Sequence, residues 1–187
     1  MKAHLKDKHL EVVDGDGASP DTDHIVGLVA GDEGGLMERL YERMTALLGQ
    51  QYDGDAFQQF ITELEMEPVV ISVGNELDVA FPELGVAFAT KGGTFATIFI
   101  HINTPSTPKP FKPFDGELAD GIRPGDSSET VKEKLRMTPS ASRRSPRDSK
   151  VEWDLRESYD LGNLRLSFTF DGVTGLMYFV SVSHHAN

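Results

Sequence analysis

The amino-acid sequence predicts an α+β protein built from two tandem units, each combining helix with three antiparallel strands. Three observations support this prediction. Amphipathic helical segments end at a glycine or a proline, groups of three strand-like segments follow them, and glycine-containing turns separate strands. Helices on one face of each sheet would leave the other face open, and two adjacent units would form a broad concave surface.

Residues 1–35 are polar and rich in glycine and aspartate, and they predict a flexible acidic N-terminal arm. The stretch VVDGDGASPDTDHIV within it has the composition of a calcium loop. Its spacing does not fit, because with Asp14 as position one the twelfth position is Ile25 rather than a bidentate glutamate. No calcium site is therefore predicted here.

The first α+β unit is predicted to cover residues 36–102. An amphipathic helix is predicted for the segment LMERLYERMTALLG. A second helix is predicted for DAFQQFITELEMEP, with Asp55 as its N-cap and Pro68 at its end. The segments ELDVAFP, GVAFAT and FATIFIHI are predicted strands. Gly92-Gly93 marks a tight turn between the last two strands.

Four prolines predict that residues 103–115 form a stiff, extended Pro-rich connector. The second α+β unit, residues 116–187, begins with a short helix for which Asp126 is the predicted N-cap and Glu129 completes a capping box. Three strands are predicted after it: VEWDLRESYD, NLRLSFTF and GLMYFVSV. The basic segment between helix and strands, residues 141–149, is predicted to be a mobile loop that folding does not require.

The two units align with each other, and the alignment favours an internal duplication over coincidence. FITELEMEP matches VKEKLRMTP, and both share the spacing Leu-x-Met-x-Pro. The matched positions are Leu64, Met66 and Pro68 in the first unit and Leu135, Met137 and Pro139 in the second.

The chain carries a formal net charge of −12, and its acids are unevenly placed. Between Met44 and Thr90 there are eight acidic residues and no lysine or arginine. Such a surface repels nucleic acid and attracts a basic protein, and long-range attraction raises the rate of association. An acidic surface that only maintains solubility remains the alternative.

Cysteine is absent, which excludes a disulfide framework, thiolate chemistry and a cysteine-based zinc site. No apolar run is long enough to span a bilayer, and the N-terminal MKAHLKDKHLEVV lacks the apolar stretch of a signal peptide. The sequence therefore predicts a cytoplasmic protein that does not contact membranes.

No catalytic motif is found. The chain has no nucleophile elbow, no phosphate-binding glycine loop and no histidine pair at metal-binding helical spacing. A pair of catalytic carboxylates remains open, but nothing in the spacing of the many acids selects two of them. We predict no catalytic residue, no metal and no cofactor.

Trp153 and Tyr159 are the candidate anchors of a partner-binding surface. They lie six residues apart on a predicted strand and therefore share a face, and acids flank them. Large aromatic side chains surrounded by acids are typical of protein interfaces. A role for Trp153 as the core residue of the second unit remains equally open. The predicted partner-binding residues are Asp53, Asp78, Glu83, Trp153, Asp154, Glu157, Tyr159 and Asp160.

The second unit resembles the small domain of the SmpA/OmlA outer-membrane lipoproteins, which has a Gly-x-(Ser/Thr)-x-x-x-Val helix, a proline stop and three antiparallel strands. The residues that carry this resemblance are Gly125, Ser127, Val131, Leu135 and Pro139. A tandem pair of such domains is similar to the beta-lactamase inhibitor protein. Residues 36–183 as a whole resemble bacterial cytoplasmic proteins associated with toxin immunity.

This resemblance implies a non-enzymatic immunity or inhibitor protein that occludes a bacterial toxin, such as a basic nuclease, through an acidic surface that contains aromatic residues. A scaffold or assembly module without a toxin partner is the alternative. An enzyme of unrecognised type is a third possibility.

Overall fold

The computed structural model describes residues 39–74, 76–102, 111–146 and 153–185. The predicted N-terminal arm, residues 1–35, lies outside the described residues, and so does most of the predicted connector, of which only residues 111–115 are described. The predicted domain boundaries therefore stay predictions.

Three α-helices occur in the described part of the chain. In two of them the observed N-cap residue lies one position from the predicted N-cap. The second helix starts after Gly54, and the third starts after Ser127, whose hydroxyl accepts a hydrogen bond from the Thr130 amide at 3.3 Å. The predicted cap Asp126 instead accepts hydrogen bonds from the Arg123 amide and from Lys134. The helices are α1 (Leu40–Ala46), α2 (Asp55–Leu64) and α3 (Ser128–Leu135), with short 3₁₀ turns at Pro82–Leu84 and Ala119–Gly121.

The described strands form one antiparallel sheet of eight strands in the order β1-β2-β3-β4-β8-β7-β6-β5. Strands β4 and β8 pair in the middle of the sheet, with Ile98 opposite Val182. The strands are β1 (Val69–Val73), β2 (Glu76–Phe81), β3 (Val86–Lys91), β4 (Thr94–His101), β5 (Ala141–Pro146), β6 (Trp153–Leu161), β7 (Leu164–Phe170) and β8 (Met177–His184).

The predicted fold class, two tandem units of helix plus three strands, was wrong. The described part of the chain is mainly β, with one continuous sheet and three α-helices. A separate three-stranded sheet would leave the backbone groups along β4 and β8 unpaired at two exposed edges, and pairing the two strands removes both edges. The side chains of the two halves accordingly form one hydrophobic core cluster. The sheet therefore does not support treating the chain as two separate repeats.

The predicted basic loop is also corrected. Residues Ala141–Pro146 form the edge strand β5, in which Arg143 lies opposite Arg156 of β6. The sequence indicated a loop because serine, arginine and proline are common in loops. An edge strand has the same composition, because charge and proline protect it from pairing with another chain. Replacing residues 141–149 by a linker would therefore remove a strand.

The helices pack against one face of the sheet. Phe57 and Phe60 of α2 contact the aromatic side chains of β2, β3 and β4 in edge-on geometry, and the Phe57 ring lies 5.0 Å from that of Phe95. On α3, Val131 and Leu135 are buried, and Ser128 bonds to Glu157 of β6. The described helices leave the opposite face of the sheet uncovered, and we name it the open face.

Candidate functional site

The register of the sheet defines which side chains share the open face. Ser181 of β8 lies opposite Phe99 on one side and Ser167 on the other, and Ser167 lies opposite Ser158 of β6. Alternate positions along every strand therefore point to this face. One half of the face is apolar and aromatic, and the other half carries serine and arginine.

The apolar half contains a groove of about 350 Å³. Val69 and Ile71 of the edge strand β1 form one side, and Phe99 and Phe179 form the other. We name it the aromatic groove. It is lined by Val69, Ile71, Asp78, Ala80, Pro82, Ala87, Phe99, His101, Phe111 and Phe179.

Phe111 reaches the groove because the end of the connector is held against the sheet by backbone hydrogen bonds. The Lys112 amide donates to the Pro82 carbonyl and the Phe114 amide to the His101 carbonyl, each at 2.8 Å. Gly85, at a φ of +71°, lies directly beneath this segment, and a Cβ there would collide with the Lys112 carbonyl and the Phe114 amide. Glycine at this position thus permits the close approach.

His101 lies within an aromatic cluster of the groove. Its ring stacks on Phe111 at a centroid distance of 4.2 Å and contacts Phe179 edge-on at 5.4 Å. Its Nδ1 atom is buried and has no hydrogen-bond partner among the described residues. Desolvation by burial lowers the pKa of His101 below its ordinary value, so the neutral imidazole is favoured in the folded protein.

We expect His101 to make stability depend on pH. The unfolded chain binds a proton at this histidine more readily than the folded chain does, so the free energy of unfolding should fall as the pH is lowered from about 7.5 to about 5.5. His101→Phe should reduce this fall, as measured by urea unfolding at the two pH values. His184→Gln, at an exposed position, is the control. An unchanged pH dependence in His101→Phe would contradict the assignment.

The second half of the open face contains a polar cavity of about 500 Å³, which we name the serine–arginine trough. The hydroxyls of Ser158 and Ser167 lie 2.8 Å apart, and the Arg156 guanidinium donates to Ser181 Oγ at 3.3 Å. The trough is lined by Thr97, Phe99, Ala141, Arg143, Arg156, Ser158, Ser167, Ser181 and Ser183.

The two predicted aromatic anchors lie on the other face, beneath or beside the helices. Tyr159 is 0% exposed and its hydroxyl donates to Glu157 Oε2 at 3.0 Å. Burial is the main cause that raises the pKa of Tyr159, and the bond to Glu157 adds to it. Trp153 is 49% exposed and lies at the mouth of a cavity beside Ser128. Tyr159 is thus a core residue, while Trp153 is accessible.

The predicted acids of the second half do not form one surface. Glu157 is buried among Ser128, Lys132 and Tyr159. Asp154 lies on the open face and accepts a hydrogen bond from the Tyr178 hydroxyl at 2.7 Å. Asp160, also on the open face, accepts two hydrogen bonds from Arg165, which lower its pKa to about 2.

The predicted acids of the first half are separated in the same way. Asp78 lines the aromatic groove, and Glu83 forms an exposed ion pair with Lys112. Asp53 is exposed in the turn before α2. The structure therefore brings only Asp78, Asp154 and Asp160 to the open face. Most of the groove was missed by sequence reasoning, although the alternation of Ala87 and Phe99 with buried residues could have indicated a second apolar face.

Within the described ranges, no three or more histidine, aspartate or glutamate side chains are grouped as metal ligands would be. No described helix combines the length and apolar character needed to cross a bilayer.

No protein-family model matches this chain, and no curated protein matches it. It is similar to the solved structure of an extracellular protein containing an SCP domain from Bacillus anthracis str. Ames, with 10% identity and a TM-score of 0.46 over 75% of this chain and 45% of that chain. A cysteine-rich secretory protein from Staphylococcus aureus subsp. aureus Mu50 gives 9% identity and a TM-score of 0.46 over 74% and 44%. The chain spans less than half the length of either.

These comparisons correct two predictions. The predicted resemblance to SmpA/OmlA-like tandem domains was wrong, because the described strands form one eight-stranded sheet and the similar structures are SCP-domain and cysteine-rich secretory proteins. The immunity function that this resemblance implied stays a prediction. The cytoplasmic location is withdrawn, because these proteins are described as extracellular and as secretory. At this TM-score and identity, the similarity assigns neither a family nor a function to the chain.

Proposed function

We propose that this chain is a non-enzymatic protein-binding module that takes an extended segment of a partner protein along β1, with the partner's apolar side chains in the aromatic groove. The observation that carries the proposal is that the described residues leave the groove uncovered. Its walls are large apolar side chains that an isolated protein buries where it can, and exposed apolar patches of this kind mark interaction sites.

The edge strand beside the groove supports an extended partner. β1 has the sequence VVISV, without charge or proline, and Val69 and Val70 are 46% and 52% exposed. The other edge of the sheet, β5, is protected by two arginines and a proline. An unprotected edge strand offers unpaired backbone donors and acceptors to an added strand. The difference between the two edges therefore favours strand addition at β1.

The charge around β1 supports a basic partner segment. Glu65 and Glu67 precede the strand and Glu76 follows it, and all three side chains are exposed. Asp78 lies opposite Ile71 on the open face. Acids on both sides of an apolar strand complement a segment that alternates apolar and basic residues.

The proposal can be tested with a labelled, end-blocked octapeptide that alternates valine and lysine. Fluorescence anisotropy measures its binding to the protein. Val69→Lys should weaken this binding by about tenfold or more, because it places a cation and a longer side chain in the groove. Val173→Lys is the matched control, since Val173 is 70% exposed in a turn away from β1. A peptide that alternates valine and glutamate should bind poorly.

Equal binding of the two peptides, or an equal response of Val69→Lys and Val173→Lys, would contradict the proposal. Concentration-dependent dimerisation that Val69→Lys abolishes would also contradict it, because β1 would then pair with a second copy of this chain. Analytical ultracentrifugation of the unlabelled protein distinguishes that outcome.

A further inference from the structure

We infer that the serine–arginine trough is an anion site for a phosphate or sulfate group, held between the guanidinium groups of Arg143 and Arg156. This site lies in the half of the open face remote from β1, and the inference does not depend on the proposed function.

The first support is the placement of two like charges. Arg143 of β5 and Arg156 of β6 are directly opposite each other in the sheet and point to the open face. Directly opposed side chains have Cβ atoms about 5 Å apart, and like charges in such positions repel each other. An anion between the two guanidinium groups would replace this repulsion by attraction.

The second support is that neither arginine has a carboxylate partner in the ranges that the structure describes. Other arginines do: Arg165 pairs with Asp160 at 2.7 Å, and Arg123 pairs with Glu117 at 3.0 Å. The nearby Asp154 lines the same end of the open face, but its Oδ2 accepts from Tyr178. Among the described residues, one carboxylate, that of Asp154, therefore lines this end of the open face beside the two guanidinium groups of Arg143 and Arg156.

The third support is the chemistry of the trough floor. The hydroxyls of Ser158, Ser167 and Ser181 lie in one row across β6, β7 and β8. Hydroxyls can rotate to donate, and guanidinium groups bind oxyanions through two parallel hydrogen bonds. Phosphate and sulfate have enough acceptor oxygens to use both arginines and the floor together, and the volume of about 500 Å³ accommodates them.

Isothermal titration calorimetry tests the inference. The protein is titrated with inorganic phosphate and, separately, with inorganic sulfate, and sodium chloride at equal ionic strength is the control. Arg156→Gln should weaken phosphate binding by about tenfold or more. Arg144→Gln is the matched control, because Arg144 neighbours Arg143 on the same strand but lies beside Trp153 on the opposite face. Its phosphate affinity should stay within about twofold of that of the unmodified protein.

Two further measurements distinguish the outcomes. End-blocked phosphoserine that binds more tightly than inorganic phosphate would assign the site to a modified protein, whereas equal or weaker binding would assign it to the free ion. Without oxyanion, Arg143→Gln should raise the thermal unfolding temperature, because it removes repulsion. Phosphate effects that chloride reproduces, or equal losses in Arg144→Gln and Arg156→Gln, would overturn the inference.

Discussion

Replacing Tyr159 with alanine should lower the free energy of unfolding by about 3–5 kcal/mol. Tyr159 is fully buried, its ring packs edge-on against Phe168 at 5.7 Å, and its hydroxyl bonds to a buried carboxylate. Alanine would leave a cavity and also remove one hydrogen bond from Glu157. Urea denaturation followed by circular dichroism measures the change.

Tyr159→Phe separates the two contributions, because it keeps the ring and removes only the hydroxyl. We expect a cost of about 1–3 kcal/mol, the penalty for leaving a buried acceptor with one bond fewer. If Tyr159→Ala unfolds at nearly the same urea concentration as the unmodified protein, the side chain does not lie in the core.

Replacing Glu157 with alanine should have the second largest effect, a loss of about 2–4 kcal/mol. Its carboxylate is 3% exposed, accepts from Ser128 Oγ at 2.8 Å and lies 2.9 Å from Lys132 Nζ. Removing it leaves buried donors of Ser128 and Tyr159 without an acceptor. The loss of stability should be smaller than that from breaking a fully buried ion pair, because the Lys132 side chain is 37% exposed and its ammonium group can be hydrated instead.

Glu133→Ala is the matched control for this change. Glu133 is an exposed acid on α3, and the same change of charge there should alter the free energy of unfolding by no more than about 0.5 kcal/mol. Equal losses for Glu157→Ala and Glu133→Ala would show that the buried network contributes no more than surface charge.

The strands of the fold could be predicted where the sequence carries a clear local pattern of strand-favouring and turn residues. Strands β2 to β4 and β6 to β8 lie within two residues of predicted strands, because each is a run of strand-favouring residues next to turn residues, and β7, with the sequence LRLSFTF, alternates apolar and polar residues. Strand β1 was missed because VVISV does not alternate, and β5 because it is polar throughout. The pairing of β4 with β8 could not be predicted, since the strands are far apart in the sequence and no short-range pattern selects them.

The candidate site shows the same division between local pattern and long-range packing. The spacing of Trp153 and Tyr159 correctly placed them on one face, but it could not tell which face the helices cover. Glu157 was predicted to be a partner-binding acid because it lies between Trp153 and Tyr159 in the sequence. Its partners Ser128 and Lys132 come from α3, and only the folded chain brings them together.

The pairing of β4 with β8 also constrains how the protein folds. Strands β1 to β4 form successive hairpins, as do β5 to β8, and hairpins close within microseconds. The contact between Ile98 and Val182 joins positions far apart in the chain. Because closing so long a loop costs conformational entropy, the pairing of β4 with β8 should form slowly. Of the eight described strands, β8 is synthesised last. The backbone groups of β4 that pair with β8 therefore lack this partner on the ribosome until β8 has been made. Early chains are therefore exposed to aggregation at the strand that later becomes the centre of the sheet.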